Sequence, residues 1–269
     1  MKKFRLAPPI NINIFSKLIP CAYNYKRSYY GILERKYKVY AFLFFKLKFR
    51  VPAIDGKNNK IYIKENGERK ELVQLLPQIK VIIEGNNNII ELGEIKHFQG
   101  LSINIRGDNN KVIIADTEHQ IKFSSISMEQ RGNNRRIIIG RNWSCNGALI
   151  TIGNNSSIDI GADCMFAYGL YLSTTDHHPI YDKFNKALFP NKDIKIGNHV
   201  WLGRNVSVHK GAVIPDGCVV GANSFVTKEF TEPDCILAGT PAKIIKHNIR
   251  WERDYDTKPE IDLQTSGTP

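Results

Sequence analysis

The stretch Thr174-Thr175-Asp176-His177-His178-Pro179-Ile180 sets a carboxylate and two imidazoles side by side. An imidazole titrates near neutrality, so it can take a proton from an attacking hydroxyl and pass one to a leaving group. Such a base needs a partner for its other ring nitrogen. Asp176 is adjacent, though sequence neighbours often point apart; Asp163 and a backbone carbonyl are the other candidates, and the sequence does not choose. A lone histidine in a polar segment is ordinarily a satisfied surface residue. Trp201 lies twenty-four residues after His177, and the elements around it decide whether it is core.

Those elements repeat every six residues. Ile196, Leu202, Val208, Ile214, Val220 and Val226 stand at strict intervals of six, and Val200, Val206, Ala212, Cys218, Ser224 and Phe230 follow four residues after each. Helices repeat near 3.6 and strands near 2, so a strict period of six requires a short strand plus a tight turn, stacked so that the aliphatic residues form a buried ladder. In that frame Trp201 takes the outward sixth place and is not core. Upstream, Gly85-Asn86-Asn87-Asn88, Gly107-Asp108-Asn109-Asn110, Gly132-Asn133-Asn134 and Gly153-Asn154-Asn155 recur at intervals of 22, 25 and 21, each followed by an alternating Ile/Val run. Gly and Asn tolerate positive φ at tight corners, so these read as irregular early coils of one solenoid; a separate Asn-rich hairpin domain is the alternative. The phase breaks after Leu172 and resumes at Ile194, which leaves residues 176–193 as a loop thrown out of the stack, the kind of segment that carries function.

The chain divides into a basic, partly helical region over 1–79, a solenoid over 80–237 with the excluded loop 176–193, and a closing segment over 238–269. Arg35 to Lys48 is the expected N-terminal helix. Lys60 to Lys64 alternates like a strand, with a turn at Asn66-Gly67. Ala242 to Arg253 has the apolar spacing of a short helix (Ile244, Ile245, Ile249, Trp251), followed by a polar tail.

The net charge is +12, and residues 1–50 carry twelve Lys and Arg against Glu34 alone. Basic and aromatic residues together suit an anionic membrane surface or an acidic polymer; a solvated layer capping the solenoid is the plainer reading. No nucleic-acid motif accompanies the charge, and no nucleic acid is expected as a partner. No run approaches the roughly 20 apolar residues that span a bilayer, and no signal-peptide core follows the basic N-terminus. The expectation is a cytoplasmic protein, with the inner face of the membrane as its place of work if residues 1–50 meet lipid. The five cysteines show neither a CxxC pair nor metal-ligand spacing, so no metal is expected. Cys164 and Cys218 fall on the small fifth position and should be buried free thiols.

The six-residue frame resembles the hexapeptide repeat of the left-handed parallel β-helix acyltransferases. The ordered set Asp176-His177-His178, Val200-Trp201-Leu202-Gly203, Val226-Thr227-Lys228 and Ala238-Gly239-Thr240-Pro241-Ala242-Lys243 is similar to the sugar O-acetyltransferases of that family, those acting on galactosides, maltose, capsule, lipopolysaccharide or sialic acid. The resemblance covers about residues 150–250. It implies an all-β, left-handed parallel β-helix, acetyl-coenzyme A as co-substrate, a sugar or polysaccharide acceptor, and a homotrimer with sites in the grooves between solenoids. It places His177 as the general base, with Asp176 beside it, and His178 as a substrate contact. Trp201 would line the acyl-donor channel or the acceptor site, and Asn146 falls near an acceptor-binding position. Gly203, Ala222, Thr227 and Lys228 match positions that flank the pantetheine arm and nucleotide, and Lys243, with Lys246 or Arg250, would meet the phosphates of coenzyme A. Arg204 departs from the galactoside enzymes, which have a small residue there. Two other functions share the solenoid: N-acetylation of a nucleotide-linked amino sugar, which would favour an acidic or nucleotide-binding N-terminal domain, and a non-catalytic scaffold, which has no need of Asp176-His177-His178.

Overall fold

The computed structural model describes residues 49–50, 52–72, 76–128, 132–188 and 190–254. The expected helix at Arg35 to Lys48 and the polar tail from Thr257 lie outside them. The described chain winds as a left-handed parallel β-helix of three faces. Four long strands, Ile95–Arg106, Thr117–Met128, Ser144–Thr151 and Met165–Ser173, each run along the first face, bend at a corner, and continue along the second. In the later coils each side is its own short strand: Trp201–Leu202, Val219–Val220 and Ile236–Gly239 on the first face, Ser207–His209 and Phe225–Val226 on the second. The third face is a separate sheet running from Lys60–Glu65 to Val213–Ile214.

The sequence periods become ladders. On the third face Ile61, Ile90, Val112, Ile137, Ile158 and Ile194 stand in parallel register, all buried. On the second, Ile126, Ile150, Leu172, Val208 and Val226 do the same. Each such side chain contributes about 1.5–3 kcal/mol by leaving water, so the stack holds together without any helix. The Asn-rich stretches form the corners between the second and third faces. There the Asn88 amide donates to Asn59 Oδ1 (3.0 Å), Asn110 to Asn88 Oδ1 (2.9 Å), and Arg135 Nε to Asn110 Oδ1 (3.0 Å). These are solenoid coils, not a separate hairpin domain. Burial lowers the Arg135 guanidinium to about 10.

An antiparallel hairpin stands near each end of the described winding. Lys60–Glu65 pairs with Glu68–Glu71 around the Asn66-Gly67 turn. At the other end, Ile236–Gly239 pairs with Ala242–Lys246, which corrects the expected closing helix over Ala242 to Arg253. The adjacent Ile244 and Ile245 lie on opposite sides of a strand: Ile244 packs on the core and Ile245 is exposed. The chain then turns back so that Trp251 is buried against the third corner, between the third face and the first. The return buries Trp251 and leaves Ile249 half-buried.

Candidate active site

His177 sits in the loop that replaces one second-to-third-face corner. The loop leaves at the buried Thr174 and returns at Lys192, whose N–H donates to the Thr174 carbonyl (3.3 Å). Thr174 Oγ1 accepts from Gly153 N–H (2.8 Å) and lies 2.7 Å from Ser156 Oγ, so the root is tied to the coil below. Beyond the root, Ile180–Tyr181 and Ala187–Leu188 pair as a short hairpin.

His177 itself has φ +64°, a left-handed conformation that histidine tolerates. Its N–H donates to Thr175 Oγ1 (3.1 Å), and its Nε2 lies 2.8 Å from the hydroxyl of Tyr171. The imidazole is thus exposed yet held over the outer side of the second face. The Asp176 carboxylate is bound by the Lys210 ammonium. Asp163, the other carboxylate candidate, is at the third corner, where Oδ2 lies 2.6 Å from His199 Nδ1 and Oδ1 accepts from Arg253 (3.0 Å). His178 is exposed, and its N–H donates to the Asp176 carbonyl (2.8 Å).

Below His177 the second face presents stacked rings. Tyr171 meets His209 edge-on, centroids 5.6 Å apart, and His209 lies 4.5 Å from Phe225. Burial pushes the His209 imidazole below its ordinary value, so it is neutral at pH 7. Thr227 follows Val226, which pairs with Val208 at the end of the second face.

The other named residues occupy other sides. Trp201 pairs with Met165 at the start of the first face, whereas His209 pairs with Ser173 at the end of the second. Within one chain Trp201 and His177 are therefore not brought together. Gly203 and Ala222 stack one above the other at the first-to-second-face corner. A Cβ on Gly203 would lie 2.8 Å from the Ala222 nitrogen, so close coil packing already requires a glycine there. Asn146 is exposed near the same corner, two coils earlier. Lys243 is exposed and pairs with Ala238 on the closing hairpin. Lys228 lies past the end of the second face, its ammonium 5.1 Å from the Phe230 ring centre. Cys164 and Cys218 are buried free thiols; burial pushes Cys164 up to about 12, which suits filler and not a nucleophile.

The family described as bacterial transferase hexapeptide (six repeats) matches residues 193–228. A polysialic acid O-acetyltransferase of Neisseria meningitidis is 40% identical over 177 residues, which make up 65% of this chain and 80% of the relative. The chain belongs to the hexapeptide-repeat acyltransferases. Two solved members align over most of their length, each with a TM-score of 0.65 and 33% identity. The polysialic acid O-acetyltransferase OatWY is covered over 97% of its chain and the polySia-specific acetyltransferase NeuO over 91%; these matches take in 80% and 78% of this chain.

The hexapeptide frame made His177 and Trp201 legible, but it did not reveal Tyr171, Lys210 or His209. Their closeness to the loop depends on which coil lies beneath which. The excluded loop sets Tyr171 36 positions before its paired neighbour Ser207, twice the 18 that separate paired residues in the later coils, so the coil beneath it is not the one a regular winding would give.

Proposed function

We propose that this acyltransferase moves an acetyl group from acetyl-coenzyme A to a hydroxyl of a sialic acid polymer or a similar anionic surface polysaccharide. The observation that supports it best is the exposed His177 imidazole, held over an open face in a chain whose Neisseria relative O-acetylates polysialic acid. His177 takes the proton of the acceptor hydroxyl as its oxygen attacks the thioester carbonyl. The tetrahedral intermediate collapses, the C–S bond breaks, and the imidazolium returns the proton to the thiolate. No acyl-enzyme is formed. Asp176, tied to Lys210, fixes the loop.

The site is assigned to a groove between copies in a homotrimer. The His177 side and the Trp201 side lie on two faces of one chain, and the corner between them exposes Phe123 and Tyr168 (70% and 57%). A neighbour covering that corner would bring Trp201, with Gly203, Ala222 and Lys243, against His177 and Thr227 of the next copy. In this reading Trp201 flanks the thiol arm, Lys243 meets its phosphates together with Lys228, and Asn146 and His178 contact the acceptor.

Among the described residues no helix is long and apolar enough to cross a membrane. The twelve basic residues of 1–50 are assigned to an anionic surface at the inner face of the membrane, where surface glycans are assembled. Flotation of the full chain with anionic but not neutral vesicles would support that assignment.

The deciding experiment measures acetyl-coenzyme A consumption against polysialic acid, neutral glycans, free galactosides and nucleotide-linked amino sugars. Anionic polymer should be the preferred acceptor. His177→Ala should lower turnover by about 10²-fold or more, the scale of a lost general base. Preference for an amino sugar, or near-normal turnover without His177, would reject the reading.

A further inference from the structure

His177 belongs to a loop, and a base on a loop acts well only if its ring is held in place. The loop fixes its backbone through Thr175 and, one residue away, through Asp176 and Lys210. A second grip comes from the sheet. Tyr171 lies in parallel register between Leu149 and Ser207, so its ring projects from the rigid second face. Its edge contact with His209, and the tilted contact of His209 with Phe225, bring together three rings from successive coils. The tip of the first of them reaches His177 Nε2 at 2.8 Å.

We propose that Tyr171 is a positioning residue for His177, one that holds Nε2 as the proton-accepting nitrogen until the acceptor hydroxyl replaces it. This rests on the reading of His177 as the base. The 2.8 Å contact suits either tautomer; in the proposed resting state the Tyr171 hydroxyl donates and Nε2 accepts. That bond selects the tautomer with its proton on Nδ1 and leaves the Nε2 lone pair pointing over the second face. The incoming sugar hydroxyl offers the same kind of bond at the same nitrogen. The exchange swaps one neutral hydroxyl donor for another, and the ring need not turn over.

Tyr171→Phe tests this, since it keeps the ring against His209 and removes only the hydroxyl. Two readouts are taken on the full chain. Steady-state kinetics should show kcat down roughly tenfold, the scale of one lost hydrogen bond, with the KM for acetyl-coenzyme A within about twofold of wild type. Nitrogen-15 NMR of the imidazoles, assigned with His177→Ala, should show His177 moving from the Nδ1–H tautomer toward Nε2–H. The proposal stands only if both move; an unchanged kcat or an unchanged tautomer overturns it. His177→Ala separates the two layers. If that variant turns over normally, the base assignment falls. If it is inactive while Tyr171→Phe leaves either readout unmoved, only the role of Tyr171 falls.

Discussion

Trp251 lies flat on His199, ring centres 4.0 Å apart and planes 11° from parallel. The Trp251 indole N–H donates to the His199 carbonyl (3.0 Å), and Asp163 grips the same imidazole from its Nδ1 side. Arg253 adds donors to Asp163 and to Ser144 Oγ (2.6 Å). The last described residues are thereby strapped across the third corner, 5.9 Å from the ring centre of Trp201. Trp251→Ala should weaken this strap by about 3 kcal/mol, the low end for a buried aromatic because the site is peripheral. Amide exchange at residues 249–253 should quicken while the coil core stays protected. Uniform loss of protection would instead make the strap part of the global fold.

The strap should also open in acid. Burial raises the Asp163 carboxyl, but hydrogen bonds from His199 and Arg253 and the nearby charges outweigh it, and the net shift is downward. A carboxyl lowered by folding stabilises the folded form fully above its unfolded value of about 3.9, and that stabilisation is lost as pH falls through the folded value. The Trp251 indole N–H resonance should therefore hold its position at neutral pH and change only below about pH 4. Asp163→Asn should abolish that transition. A midpoint near 6.5 would assign the switch to a histidine instead.

Trp201 and His177 offer a test of site assembly. If each site takes its histidine face from one copy and its tryptophan face from the next, neither His177→Ala nor Trp201→Ala is active alone. Random co-assembly of the two in a threefold ring leaves about one quarter of the interfaces intact. Co-expression should therefore restore roughly that fraction of wild-type turnover. No recovery in a demonstrated mixed trimer would place both residues in one chain's site.

Phe123 breaks two rules at once. Its φ is +40° and its side chain is 70% exposed, while the facing residue in the coil beneath is Gly100. Left-handed backbone costs a bulky residue roughly 1–2 kcal/mol, and exposure returns nothing to an isolated chain. A covering copy would. Phe123→Asp should leave the circular dichroism unchanged and, with copies packed through this corner as proposed, shift the mass in solution from trimer to monomer. An unchanged trimer would show that this corner is not the interface.

The parts of the fold that were legible follow from short-range rules. The six-residue frame fixes which side chains face inward, and Gly-Asn-Asn marks corners because those residues accept positive φ, as Asn87, Asn109, Asn134 and Asn155 do. The closing segment was misread because its apolar residues serve a hairpin strand over Ala242–Lys246 and then a return that buries Trp251, not one face of a helix. Asp163 drew attention as an orienter of His177 because the two are near in sequence. The two sit at different corners, Asp163 between the third and first faces and His177 between the second and third, whereas Tyr171, which does reach His177, comes from the middle of a strand. Tyr171 carried no signal beyond its outward place beside Leu170 and Leu172.

The tightness of the stack can be measured with two glycines. Gly161 has ordinary backbone angles, but a Cβ there would lie 2.5 Å from the Gly197 carbonyl oxygen in the next coil. Neither backbone can retreat without breaking the ladder hydrogen bond from Gly161 N–H to the Ile196 carbonyl (2.8 Å). Gly67 is the converse: φ is +80°, and nothing lies within 4 Å of the added carbon. Gly161→Ala should cost about 3 kcal/mol or more, as overpacking against fixed backbone. Gly67→Ala should cost about 1 kcal/mol, from left-handed strain alone. Urea unfolding of both variants checks the order. If Gly67→Ala were the more damaging, coil spacing would be adjustable and the glycines of the hexapeptide frame would be there for their torsional freedom, not for contact between coils.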